Sequence, residues 1–437
     1  MALLIESLDQ EGRGVARRDG KAIFIEGALP GETVTCTVRR RKSSYEIATV
    51  TEVLRQSTAR VAPRCVYFGR CGGCSLQHLE PRAQVAVKQR VLEDDLWLLG
   101  RVKPEQILPA VYGPWWGYRH RARLTVRYVP KKGGALVGFH ERRSSYVADM
   151  TSCEILPPRI SGLLRPLRAL VNGLSIRTRM PQIEVSLGDT CDVLVFRVLV
   201  EPSEADQVLL RKFAERHGVS IYLQPGGPDT AYPFHPAQPA DLYYALPEFD
   251  LRIGFAPTEF TQVNHAVNRV LVRRALALLE VRPGERVADL FCGLGNFTLA
   301  IARSGGEVVG IEGSGELVRR AAANAARNGL QEIARFVEMD LYEEGVPGLS
   351  RIGGFRRMLL DPPRDGAIEV VKSLAAEAPR RIVYISCNSV TLARDAAILV
   401  HSRGYAFRAA GVVNMFPHTS HVESIALFEK ISRQSGG

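Results

Sequence analysis

No stretch of this 437-residue chain approaches the ~18 consecutive apolar residues that a membrane-spanning helix requires. The start, MALLIESLDQEGRG, lacks both a basic leader and a long apolar run, so it does not read as a secretory signal. A cytoplasmic protein is expected. In that compartment the eight cysteines point to metal binding or catalysis before disulfides. No internal repeat is present. Acidic residues are scarce in one block only. Residues 61–180 carry 20 Lys+Arg against 8 Asp+Glu, whereas residues 1–60 carry 10 against 8 and residues 181–437 carry 27 against 30. The net charge of +11 therefore originates in one middle block. A localised basic block is the electrostatic footprint of a nucleic-acid partner.

What is present divides into three textures, as a chain too long for one hydrophobic core should. Residues 1–56 alternate as short strands between turn signals at Gly20, Gly27, Pro30 and Gly31, which predicts a small β-barrel. Cys36 falls within one of these strands. Residues 57–255 read as a β-rich central domain, with a Pro-rich loop or insertion, QPGGPDTAYPFHPAQP, near its end. Over 256–437, strands alternate with helices: RVADLF, EVVGIEG, RFVEMDL, RMLLDPPR and RIVYISCN open on strands, and SGELVRRAAANAARNGL is a helix ended by Gly329. That order predicts a doubly wound, Rossmann-like α/β sheet. Its ligands would bind at the carboxyl ends of the strands.

The first of those ends carries DLFCGLGNF, where Gly293 and Gly295 let the backbone approach a ligand. A dinucleotide fingerprint needs Gly or Ala at its third position, and Thr298 stands there, so the fit to NAD is imperfect. Glu312, ending the second strand, can hold two ribose hydroxyls, and Asp340, ending the third, can reach an adenine amino group. Together these resemble the S-adenosylmethionine pocket of class I methyltransferases. At the fourth strand, LLDPPR offers Asp361 to cofactor or base. Arg364 replaces the aromatic residue that amino-group methylases use to stack an adenine.

The fifth strand hands over to a helix through Cys387, in VYISCNSVTLARD. A helix beginning near Ser389 would lower the pKa of that thiol. Cys292, beside the glycines, reads as a packing residue. Further forward, CVYFGRCGGC spaces Cys65, Cys71 and Cys74 for a metal, with Cys153 as a fourth thiol. Spacing alone leaves zinc and an iron–sulfur cluster both open. Cys191 reads as core. In WWGYRHRARLTVRYV, Arg119, Arg121, Arg123 and Arg127 alternate with apolar residues, so they share one strand face. Guanidinium rows beside aromatics suit phosphates and splayed bases.

FTQVN, DLFCGLGNFTL, DPPR, ISCN and FPHTSHVE stand in an order and spacing that resembles the RNA uracil-C5 methyltransferases. The front of the chain is similar to a TRAM domain followed by a cysteine cluster, as in the RlmD-type 23S rRNA branch. The likeness covers nearly the whole chain. It implies a Rossmann-like methyltransferase domain preceded by an OB-like TRAM barrel and a β-rich central domain. It implies S-adenosylmethionine held by Gln262, Phe291, Asn296, Glu312, Asp340 and Asp361, and a [4Fe–4S] cluster held by Cys65, Cys71, Cys74 and Cys153. Cys387 would add to uracil C6 as nucleophile, and Glu423 would remove the C5 proton; His418 and His421 are nearby alternatives for that proton. Arg119, Arg121 and Arg123 would contact RNA, most plainly 23S rRNA, and the protein would act as a monomer. The alternatives are a tRNA uracil-C5 or RNA cytosine-C5 methyltransferase, or a non-catalytic rRNA-binding assembly factor.

Overall fold

The computed structural model describes residues 2–343, 352–374 and 379–431. Its strands form three large sheets and one two-stranded hairpin. The first sheet has six strands and lies within residues 3–55. Ile5, Ile23, Ile25, Val34 and Ala48 form its core. Gly20, Gly27 and Gly31 all turn with φ near +80° (77°, 81° and 79°), a conformation that a Cβ would strain.

The second sheet runs, edge to edge, Tyr232–His235, Ser220–Gln224, Asp192–Arg197, Gln182–Leu187, Arg121–Val129, Gly134–Gly138. The outermost strand corrects one expectation. Part of the Pro-rich stretch is not loop: Tyr232–His235 pairs with Ser220–Gln224. Proline lacks an amide donor, and a sheet edge is where that loss is tolerated.

The third sheet has eight strands, in the order Ala334–Glu338, Glu307–Glu312, Arg286–Leu290, Arg357–Leu360, Arg381–Ser386, Glu423–Lys430, Tyr405–Val413, Gln106–Ile107. The first five are mutually parallel, and Glu423–Lys430 runs antiparallel to both its neighbours. This is the doubly wound sheet expected from 256 onward. Three pieces of the stretch expected to be central pack with it instead. Helix α1, Pro81–Leu98, places Leu92 and Leu96 in one core with Leu290 and Tyr384, and Gln106–Ile107 extends the sheet. The hairpin Tyr243–Leu246/Leu251–Gly254 places Tyr244 and Ile253 in a core with Val267 and Leu299. An apolar stripe in a sequence marks a buried face without saying which sheet it covers.

Candidate active site

Four strand ends of the eight-stranded sheet meet around one cavity of about 580 Å³. After Arg286–Leu290 the chain turns through Phe291, Gly293 and Gly295, all at positive φ (63°, 54° and 86°). Phe291 is the exception among them, since a residue with a Cβ is strained there. Glu312 closes the neighbouring strand. Its Oε2 accepts from the Gly293 N–H at 3.1 Å and its Oε1 from the Ser314 N–H at 3.1 Å. The carboxylate thus locks the glycine turn and faces the same space.

Opposite lies Cys387. It follows strand Arg381–Ser386 and precedes helix Ser389–His401, whose N-cap Asn388 accepts from the Val390 N–H at 3.1 Å. Ser386 pairs with Ser424 in the antiparallel ladder. One further step in that register sets Cys387 across from Glu423, the first residue of the last strand. Asp361 follows Arg357–Leu360 and borders the same cavity, as do Gln262, Phe291, Asn296, Arg364 and His421.

The cavity disfavours charge on its acids and its thiol. Burial pushes the Glu423 carboxyl up to about 8; the Asp361 charge adds to this, and the Lys88 ammonium opposes it. Asp361 is raised to about 7 by burial and by Asp289. Cys387 is raised to about 11, by burial first and then by Glu423 and Asp361, with Arg364 opposing. The sequence had suggested a thiol activated by its helix. In the folded protein, desolvation and two carboxylates act in the opposite direction.

Two expected residues sit differently. Asp340 does not border the cavity; its Oδ1 accepts from the N–H groups of Tyr342 at 2.8 Å and Glu343 at 3.3 Å. Asn296 borders it, but its amide is paired with Asn268 (2.9 and 3.0 Å) and with the Tyr244 hydroxyl at 2.9 Å. The two histidines also part. His421 reaches the cavity and is lowered to about 4 by burial and by Arg364 and Lys88. His418 stacks on Trp116 at 3.8 Å, and its backbone N–H is held by Gln84 at 2.8 Å. Lys88 was missed in the sequence. It lies one turn after Gln84 on the stripe of α1 that also buries Val91 and Leu92, and that position was its signal.

Compared along its length, the chain is 62% identical over 435 residues to a 23S rRNA (uracil(1939)-C(5))-methyltransferase RlmD of Nitrosospira multiformis, covering 99% of each chain. It is 60% identical over 428 residues to a protein of the same name from Aromatoleum aromaticum, covering 98% of this chain and 99% of that one. The chain belongs to the RlmD family. Residues 249–431 match the family described as tRNA (Uracil-5-)-methyltransferase, and residues 1–51 match the TRAM domain. Among solved structures, a tRNA (uracil-54, C5)-methyltransferase of Pyrococcus abyssi, in complex with S-adenosyl-L-homocysteine, superposes with a TM-score of 0.72. It covers 98% of this chain and 100% of that one at 23% identity, which bears on fold alone.

Outside the active cavity, this RlmD-family chain brings Cys65, Cys71, Cys74 and Cys153 around a second cavity, with Tyr67, Phe139 and Met150. Among the described residues no three His, Cys, Asp or Glu side chains stand close enough to share a single metal ion. Burial and the neighbouring thiols push Cys74 up to about 12 and Cys153 to about 11. The arginine face is less open than its alternation suggested. Arg121 is only 16% exposed, donating to the Thr258 carbonyl at 2.8 Å and facing Glu184 at 3.5 Å. Arg123, 68% exposed, pairs with Glu184 at 3.0 Å. Arg119 folds back on the Arg121 carbonyl at 2.9 Å. The acid on the adjacent strand, invisible to a period-two reading, engages this row. A different groove lies elsewhere, lined by Arg13, Arg142, Arg143 and Arg364 together with Glu11 and Glu141; Arg13 pairs with Asp9 and Glu11, and Arg143 with Glu11 and Glu26. It shares Arg364 and His421 with the active cavity and Cys74 with the cysteine cavity.

Proposed function

We propose that the protein methylates C5 of a uridine in 23S rRNA, as its relatives are named for doing. The observation that carries this reading is the meeting of Cys387, Glu423 and the glycine turn at one cavity. Glu312, Gln262, Phe291, Asp361 and the backbone around Asn296 would hold S-adenosylmethionine. That molecule supplies an electrophilic methyl group. C5 of uracil is too weak a nucleophile to take it unaided. Cys387 Sγ adds to C6 as its S–H bond breaks, and the electron pair moves toward C5. That proton passes to solvent water and is the net proton of the reaction. After methylation, Glu423 takes the C5 proton, the C6–S bond breaks, and the departing sulfur recovers that proton from the carboxyl across the ladder. A base inside a duplex hides both carbons, so the target must be unpaired or flipped.

Further parts of the reading concern the other surfaces. Cys71, Cys74 and Cys153, which burial and the neighbouring thiols hold in the neutral form, need a cationic centre to become ligands. They border a cavity instead of converging on a point. A single zinc with Zn–S of ~2.3 Å needs convergence, so a [4Fe–4S] cluster suits them better. The groove of Arg13, Arg142, Arg143 and Arg364 would carry the RNA backbone to the active cavity, with Arg123 at most a peripheral contact. On this reading residues 1–56 and the second sheet grip RNA, and residues 256–437, with α1, Gln106–Ile107 and the Tyr243–Leu246/Leu251–Gly254 hairpin packed on them, perform the chemistry. The active cavity is complete within one chain, which suits a cytoplasmic monomer.

The test is to map 5-methyluridine in 23S rRNA from cells with and without the protein. Loss at one site on deletion is expected, and an unchanged map sinks the proposal. In vitro, Glu423→Gln should accumulate a methylated RNA–protein adduct that survives denaturing gels. Normal turnover would pass the base role to His421.

A further inference from the structure

In the first sheet, residues 9–13 join strand Ser7–Leu8 to strand Gly14–Arg18. The turn holds itself in one shape. Asp9 Oδ1 accepts from the N–H groups of Glu11 at 3.0 Å and Arg13 at 2.8 Å, and the Asp9 carbonyl accepts from the Gly12 N–H at 2.9 Å. The Arg13 guanidinium closes on Asp9 Oδ2 at 2.6 Å. Gly12 takes φ +76° and has no space for a side chain: a Cβ would stand 3.0 Å from Leu76 and 3.2 Å from Ser420. The Ser420 N–H donates to Ser75 Oγ at 2.9 Å, and Ser420 lies shortly before Glu423 in the chain. The turn is therefore seated against the loop that leads into the last strand.

Its tip reaches the nucleophile's helix. Gln10 Nε2 donates to both carboxylate oxygens of Asp95, at 3.1 and 3.0 Å. Asp95 belongs to α1, and its Oδ2 also accepts from the Ser389 hydroxyl at 2.5 Å. Ser389 is the first residue of the helix after Cys387 and is 4% exposed. A hydroxyl so placed is costly to leave without its partner. α1 packs on the same helix: Leu92 and Leu96 share a core with Leu392 and Ala396, and a Cβ at Gly100 would collide with the Ala393 carbonyl. Cys387 thus lies between fixed points. Ser386 before it is held in the sheet opposite Ser424. After it, Asn388 donates to the Arg364 carbonyl at 3.1 Å and Ser389 is tied to Asp95.

We propose that Asp95 is a positioning residue for thiol addition and that Gln10 completes its tether, so that the barrel domain sets the start of the nucleophile's helix as well as gripping RNA. This rests on Cys387 being the nucleophile. Gln10, Glu11 and Arg13 also border the arginine groove, so one turn faces both the proposed RNA path and the tether.

The experiment is the rate of adduct formation on a 5-fluorouridine 23S rRNA fragment at saturating RNA and cofactor, with RNA half-saturation and melting temperature measured beside it. Asp95→Ala and Ser389→Ala should each slow adduct formation about 10- to 100-fold, the effect of a reacting group displaced by ~1 Å, with RNA half-saturation unchanged. Both remove the same bond, so the double variant should be no slower than the slower single one. Asp95→Asn keeps an acceptor for Ser389 and should recover most of the rate. Gln10→Ala removes a more exposed bond and should slow the reaction about two- to fivefold. Wild-type rates in Asp95→Ala and Ser389→Ala overturn the proposal, and so do losses that multiply in the double variant. A loss that tracks melting temperature and is not recovered by Asp95→Asn marks a residue of fold stability alone and overturns it too. A wild-type rate for Gln10→Ala overturns the barrel's share. If Asp95→Ala does not fold, Ser389→Ala decides: a slowed rate supports the tether, and a wild-type rate overturns it. An adduct formed by Cys387→Ala would overturn the nucleophile assignment instead, so the two failures are distinguishable.

Discussion

At one end of the active cavity the polar groups are tied to backbone or side-chain partners, and at the other they are desolvated. Glu312 is held by two backbone N–H groups, and Asn296 is locked by Asn268 and Tyr244. Across the cavity Glu423 is 7% exposed and held far from its ordinary pKa, and Cys387 faces it with a thiol raised to about 11. The glycine end is a preformed cradle. The thiol end is a set of groups kept neutral until something changes their surroundings. An RNA base and a cationic cofactor would bring that change, since a positive charge near Cys387 favours its thiolate. The pairing separates binding from chemistry, and single substitutions should split it cleanly.

The largest effect is expected from Cys387→Ala. Turnover should fall below detection, with no covalent complex on 5-fluorouridine RNA, while cofactor affinity stays at the wild-type value. Denaturing gels and a cofactor titration read the two halves separately. A surviving fluorouridine adduct would show that the thiol end has been misassigned.

The two ends also differed in how far the sequence disclosed them. The glycine turn and Glu312 belong to one βαβ unit, so short-range spacing revealed them. Cys387 was legible because a strand, a thiol and a helix start are adjacent in the chain. Glu423 came into view only through likeness to a family, because nothing local marks a glutamate at a strand start as a base. Lys88 was not legible as a contact of the turn after Val413. It lies 326 residues from Asn414, to which it donates, on a helix that the sequence assigned to another region. The four cluster cysteines were legible as a set, but the groove of Arg13, Arg142, Arg143 and Arg364 was not, since its arginines come from distant parts of the chain. Asp340 and Arg121 show another limit of spacing. Asp340 lies two residues past the end of its strand with its Oδ1 accepting from the Tyr342 N–H, and Arg121 donates to the Thr258 carbonyl, contacts that alternation does not disclose.

A smaller effect, on the other side of the comparison, is expected from Glu312→Ala. It removes an acceptor for the Gly293 and Ser314 N–H groups and the proposed ribose partner. Charge-assisted hydrogen bonds of this kind are worth about 1.5–3 kcal/mol, so cofactor Kd should rise about 10- to 100-fold. The rate of adduct breakdown at saturating cofactor should not move. If breakdown slows as well, the two ends are coupled and the division fails.

The smallest effect should come from the other thiol, Cys292. It borders the cavity within the glycine turn, so proximity alone makes it a rival nucleophile. Its surroundings argue otherwise. Burial pushes its pKa well up, and the charges of Asp289 and Glu312 push it further. It is 5% exposed, and a Cβ added at Gly310 would stand 2.9 Å from its sulfur, so the sulfur packs against the bare backbone of the next strand. Its role is to fill space beneath the turn. Cys292→Ala should therefore form the fluorouridine adduct at the wild-type rate and extent. The lost sulfur leaves a small void, for which a cost of about 1 kcal/mol in unfolding free energy is expected. Thermal melting reads that loss, and adduct kinetics read the chemistry. A Cys292→Ala protein that melts normally but forms adduct slowly would give this thiol a part in catalysis and erase the distinction between the cavity's two ends.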